Sequence, residues 1–171
     1  MPPRRPWRLL LAALLVGTAP AVHASGWSAT GEATYEARDA WASWRGRAPL
    51  AAVDVAFDPA RPEGLAVTAV LRPADFRSGN VARDANARLT VFEVADHPEA
   101  VARVAPDPGA GAPTRTEDGA RVPVAVDLTL HGVARTYRAV ASLVREGADW
   151  VGTVAFEVSL EAHGMRRPRL F

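Results

Sequence analysis

The sequence predicts an all-β fold: an extended antiparallel β-barrel of about eight strands with one short inserted helix. Two observations lead there. Apolar residues recur with a period of two through most of the chain, while the helical period is almost absent after residue 24. Turn-forming residues separate these runs at short intervals, which is the pattern of a sandwich or barrel. A sheet of that size with one apolar face must cover the face. Closure into a barrel does so and also removes exposed edges.

The strands follow in order. Trp27, Ala29, Gly31, Ala33 and Tyr35 alternate with Ser28, Thr30, Glu32, Thr34 and Glu36. Val122, Val124, Val126, Leu128 and Leu130 alternate with Pro123, Ala125, Asp127 and Thr129. Trp150, Gly152, Val154, Phe156, Val158 and Leu160 share one face of a further strand. Weaker strands read at 42–47, 51–57, 65–72, 100–105 and 136–145. Asp58-Pro59 through Glu63-Gly64 reads as a hairpin loop, and His131-Gly132 and Glu146-Gly147 as two later turns. The Pro-, Gly- and Ala-rich stretch 106–119 predicts an exposed connection. Residues 78–94 break the alternation and predict a short helix, with Asp84 as a candidate cap.

The first 24 residues predict a leader, not part of the fold. Arg4, Arg5 and Arg8 precede the uncharged run Leu9 to Val16, and Val22-His23-Ala24 is a small-x-small cleavage pattern. The run is shorter than the roughly 20 residues that span a bilayer. The expectation is a signal peptide at 1–24, cleavage near Ala24, and a periplasmic or secreted domain at 25–171. The Arg4-Arg5 pair raises a twin-arginine route, but Pro6 and Trp7 fit that motif poorly.

Composition narrows function. All 20 basic residues are arginine. Without the three in the leader, 17 arginines face 19 acidic residues, a net charge of −2. That balance gives no basic stripe and argues against a nucleic-acid partner. With no cysteine, disulfides and thiolate chemistry are excluded. His97, His131 and His163 are far apart in sequence, so spacing predicts no metal site. No nucleophile elbow or phosphate-binding glycine loop occurs. Asp39, Asp54 and Asp127 lie on separate strands with no reason to pair as acid and base. The chain reads as a non-enzyme with no resident cofactor. Trp41 and Trp44 are candidates for an exposed partner surface. The polar cluster Arg77-Ser78-Gly79-Asn80 and Arg83-Asp84 reads either as a rim for a polar head group or as a structural cap and ion pair.

Leu128-Thr129-Leu130-His131-Gly132-Val133, followed by Arg135, resembles the L-T-L-H-G-V-[TA]-[KR] hallmark of YceI-like proteins. Phe76, Ser78-Gly79-Asn80 and Arg83-Asp84 are similar to that family's Gly-Asn and Arg-Asp stretch. Phe92-Glu93-Val94 with His97-Pro98, the Asp58-Pro59 loop, and Phe156-Glu157-Val158 with Gly164 extend the resemblance over about residues 30–165. His97-Pro98 replaces the family's Tyr-Pro, and Trp44 and Arg47-Ala48 depart from its N-terminal strand. The resemblance implies a lipocalin-like barrel that binds a polyisoprenoid or quinone-like lipid in its apolar interior.

On that reading the candidate ligand-binding residues are Trp27, Tyr35, Val55, Phe57, Val67, Leu71, Phe76, Phe92, Val126, Leu128, Val154 and Phe156. Asn80, Arg83 and Asp84 are the candidate polar rim. The expected partner is an apolar isoprenoid-type lipid, with a membrane-associated partner and a homodimer left open. The alternative is a packed barrel serving as a structural or interaction protein in a membrane electron-transfer or stress-response system. A hollow or a solid interior distinguishes the two.

Overall fold

The computed structural model describes residues 9–18, 27–38 and 43–166. Its elements are β1 (Leu9–Thr18), β2 (Ser28–Arg38), β3 (Ser43–Ala56), β4 (Ala66–Leu71), α1 (Val81–Asn86), β5 (Ala100–Pro106), β6 (Thr114–Thr116), β7 (Gly119–Leu130), β8 (Val133–Glu146) and β9 (Asp149–Val158). They form one antiparallel sheet in the order β5-β4-β3-β2-β1-β9-β8-β7-β6. A further ladder joins β5 to β7, from Val101↔Thr129 to Pro106↔Val124. The sheet thus closes on itself, with β5 and β6 in succession along the edge of β7 that β8 leaves open.

The alternation fixes which face is inside. Along β7, Ala120, Val122, Val124, Val126, Leu128 and Leu130 are buried. Along β9 and just beyond it, Val154, Phe156, Val158 and Leu160 are buried, while Ala155, Glu157 and Ser159 face solvent. Turn chemistry holds the register. β7 and β8 meet through a two-residue turn, His131-Gly132, whose φ values of 53° and 74° are both positive, as a type I′ hairpin requires.

Tyr35 lies directly opposite Gly46 across β2 and β3, and its ring covers that glycine. A Cβ at Gly46 would sit 2.3 Å from Tyr35 Cε1. Gly46→Ala should therefore cost about 1–3 kcal/mol through displacement of a core ring. Urea unfolding measures this, and an unchanged midpoint would contradict the packing.

Four sequence expectations change. The strands read at 42–47 and 51–57 are one strand, β3, bent by a register shift between Leu50 and Ala52. The 106–119 connection is exposed as expected, but it is not an unstructured loop. It carries a 3-10 turn at Pro108–Ala110 and strand β6, and Arg138 Nε holds Asp107 at 3.0 Å. The helix cap is Asn80, whose side chain accepts from the Arg83 N–H at 3.0 Å, and not Asp84. Trp44 is half-buried against the core with Arg83 over its ring at 5.5 Å from the centroid, so it is not the exposed tryptophan expected.

The apolar run at the chain start forms β1, paired with β2 from Leu9↔Ala37 to Thr18↔Ser28 and with β9 from Leu9↔Val158 to Gly17↔Trp150. The cleavage pattern at 22–24, Asp39 and Trp41 lie outside the described residues.

The C-terminal segment is tied to the β7–β8 hairpin through His163, which is fully buried. Its Nδ1–H donates to the Val133 carbonyl at 2.9 Å and the Leu130 carbonyl at 3.2 Å. Nε2 then accepts from the Tyr137 hydroxyl at 2.7 Å. Burial pushes the imidazole below its ordinary pKa, and the positive Arg135 acts in the same direction. The two carbonyls oppose the shift without reversing it. Because the folded value lies below the unfolded one, the unfolded chain takes up the proton first as pH falls. Stability should be full above about pH 6.5 and decline as pH drops below it. The melting temperature of His163→Gln should lack this component, and an equal decline in wild type and variant would contradict it.

Candidate functional site

At one end of the barrel the strands leave an apolar pocket. Trp27, Ala29, Val55, Phe57, Leu65, Val67, Leu143, Trp150 and Gly152 line it, and its volume is ≈ 40 Å³. Small residues make the space: Ala29 on β2 and Gly152 on β9 lack the bulk to fill it. Aromatic contacts fix its rim. Phe57 packs edge-on to Trp150 with ring centroids 5.2 Å apart, and Trp27 lies 6.2 Å from Phe57. The Trp27 Nε1–H donates to the Phe57 carbonyl at 2.8 Å, so its polar edge is satisfied while the ring presents carbon to the pocket.

Phe57 and Trp150 also line a second, open cleft of ≈ 490 Å³. Its other walls are largely polar and include Arg115, Glu117, Asp118 and Arg145. Arg115 is held by the Pro59 and Ala60 carbonyls, at 3.3 and 2.5 Å. Arg145 Nε donates to the Gly147 carbonyl at 3.0 Å. A guanidinium has five N–H donors, and these bonds engage only one or two on each arginine. An apolar pocket behind a polar mouth suits an amphipathic molecule with a greasy chain and a polar head.

The candidate residues divide among the pocket, the packed core and the other end of the barrel. Trp27, Val55, Phe57 and Val67 line the pocket. Leu71, Val126, Leu128, Val154 and Phe156 lie in the packed core. Tyr35, Phe76 and Phe92 form a separate aromatic stack toward the other end. Tyr35 meets Phe76 edge-on at 4.9 Å, and Phe76 stacks on Phe92 at 5.6 Å. Burial raises the pKa of the Tyr35 hydroxyl, and the nearby Asp84 carboxylate adds to the shift.

Asn80, Arg83 and Asp84 belong to that second end, away from the pocket. Asp84 is buried and accepts from the Ser78 N–H at 3.0 Å and the Ser78 hydroxyl at 2.5 Å. These contacts make the cluster a structural clasp for α1. The polar mouth comes instead from Arg115 and Arg145 on β6 and β8. No sequence signal marked them, because their proximity depends on β6 folding back along β7.

The second end also gathers Glu93, His97 and His131, whose separation in sequence gave no reason to group them. Their donor atoms all lie within 4.8 Å of one another.

A family model described as the YceI-like domain matches residues 28–169. The chain belongs to the YceI-like family. Two solved structures share its fold. BcnA from Burkholderia cenocepacia is 15% identical, with a TM-score of 0.62 over 91% of this chain and 81% of that one. The YCEI protein of Campylobacter jejuni is 12% identical, with a TM-score of 0.51 over 68% and 69%. None of the curated proteins compared matches this chain. The matched YceI-like region includes the L-T-L-H-G-V turn between β7 and β8 and α1, inserted between β4 and β5. The pocket and its polar mouth are features of this YceI-like chain's own residues.

Proposed function

We propose that this YceI-like protein is an exported carrier that binds a polyisoprenoid or quinone-like lipid at the Trp27 end of the barrel. The observation that carries the reading is the sharing of Phe57 and Trp150 between an apolar pocket and a polar mouth. Isoprene units occupy the apolar side, and the ring or head group meets Arg115 and Arg145.

A volume of ≈ 40 Å³ is small against the several hundred Å³ typical of ligand sites. Processing supplies the missing room. Cleavage near Ala24 removes β1, the strand between β2 and β9. Those two strands then flank a gap of roughly two strand spacings, about 9–10 Å, which is wide enough for an isoprene chain. Ala29 and Gly152, which line the pocket, lie on the strands bordering that gap.

The competing reading is a packed barrel that acts as an interaction module, and the small pocket volume favours it. Tryptophan fluorescence decides between them. A short-chain ubiquinone analogue should saturably quench Trp27 and Trp150 in residues 25–171, with at least tenfold weaker quenching in the unprocessed chain. Absence of saturable quenching in the processed chain would favour the packed barrel.

A further inference from the structure

We propose that Glu93, His97 and His131 bind a divalent first-row transition metal ion, with zinc as the natural probe. The site sits at the barrel end opposite the apolar pocket and does not depend on the lipid-binding reading. Three chain segments converge there: the end of the helical region at Glu93, the turn holding His97, and the β7–β8 turn at His131.

The geometry is close to that of a ligand set. His131 Nε2 lies 2.8 Å from Glu93 Oε2. The His97 and His131 rings are 3.9 Å apart between centroids. Donor atoms of all three residues fall within 4.8 Å of one another. Around a tetrahedral zinc with bonds of about 2.0–2.1 Å, donors are separated by roughly 3.3 Å. A side-chain adjustment of about an ångström therefore closes the set. Two imidazoles and one carboxylate are the donor chemistry zinc accepts with a fourth position left for water. The His131 side chain is only 12% exposed, so a bound ion would be partly shielded.

Two local turns place two of the three donors. Among the described residues, the non-glycine positions with positive φ are Glu93, at 45°, and His131, at 53°. Both belong to the trio. The His131 value is the one the type I′ turn requires, and Glu93 lies just past the helical segment capped at Phe92. The His97 ring packs over the β7–β8 turn: a Cβ at Gly132 would stand at ordinary contact distance, 3.4 Å from His97 Cε1 and 3.5 Å from Nδ1. A plain ion pair between Glu93 and His131 accounts for the 2.8 Å contact. It does not account for the second imidazole beside it, tilted at 45°.

The test is metal titration of the protein purified as its host produces it and stripped with a chelator. Zinc binding is followed by calorimetry, and cobalt substitution by its visible absorption. One zinc per chain with micromolar or tighter affinity is expected, together with a rise in melting temperature and cobalt bands of a low-coordinate N,O site. His97→Phe keeps a ring against His131, and Glu93→Gln keeps a hydrogen-bonding group. Each should weaken binding at least tenfold. No saturable binding to the wild type, or equal affinity in the wild type and both variants, would overturn the proposal.

Discussion

Phe156→Arg is expected to leave no folded barrel. Phe156 lies on the inward face of β9 with 8% of its surface exposed, between Val154 and Val158 on the same face. Its ring packs on Tyr137 with centroids 5.3 Å apart. Truncating such a ring costs about 3–5 kcal/mol. An unpaired guanidinium in the same place adds several kcal/mol of desolvation. Together these approach or exceed the roughly 5–15 kcal/mol that holds a typical domain together. Circular dichroism and thermal melting check it. A cooperative transition within a few degrees of wild type would show that the inward face of β9 has been misassigned.

Val55→Trp should separate binding from folding. Val55 is half-buried on β3 and lines the apolar pocket beside Phe57. An indole there occupies more space than the ≈ 40 Å³ the pocket offers, so it plugs the pocket from its rim. Quinone-analogue affinity should fall at least tenfold. The melting temperature should move by only a few degrees, because the added ring can lie toward the open mouth. Unchanged affinity in a folded Val55→Trp protein would remove the ligand from this end of the barrel.

The fold was legible in the sequence wherever one strand face is continuously apolar. β7 and β9 show this, since each inward residue from Val122 to Leu130 and from Gly152 to Phe156 has the predicted burial. Strand β3 was harder. Pro49 and the register shift after Leu50 interrupt its alternation, so one bent strand read as two. Helix capping was misread because Asn80 and Asp84 are both good caps by residue type. Asp84 instead turns inward to Ser78, a choice fixed by tertiary contact.

The candidate site was legible only in part. Trp27, Val55, Phe57 and Val67 read as inward-facing apolar residues, and the structure brings these four together. Trp150 and Leu143 were equally apolar, but only the ring closure places them opposite Phe57. The polar mouth could not be read at all. Arg115 lay in a stretch without alternation, and its position depends on hydrogen bonds to Pro59 and Ala60, more than fifty residues away. The same holds for His97 and His131, which meet because the β7–β8 turn folds against the segment after the helix.

The central claim is that the processed barrel carries an isoprenoid-type lipid. It is tested most directly by expressing the chain in a bacterial host, purifying residues 25–171 from the periplasm, extracting with organic solvent and identifying bound lipids by mass spectrometry. The account predicts a prenyl lipid or quinone at near one per chain from the wild type, and its loss from Val55→Trp. Lipid-free wild-type protein from repeated preparations, folded and monodisperse, would contradict it.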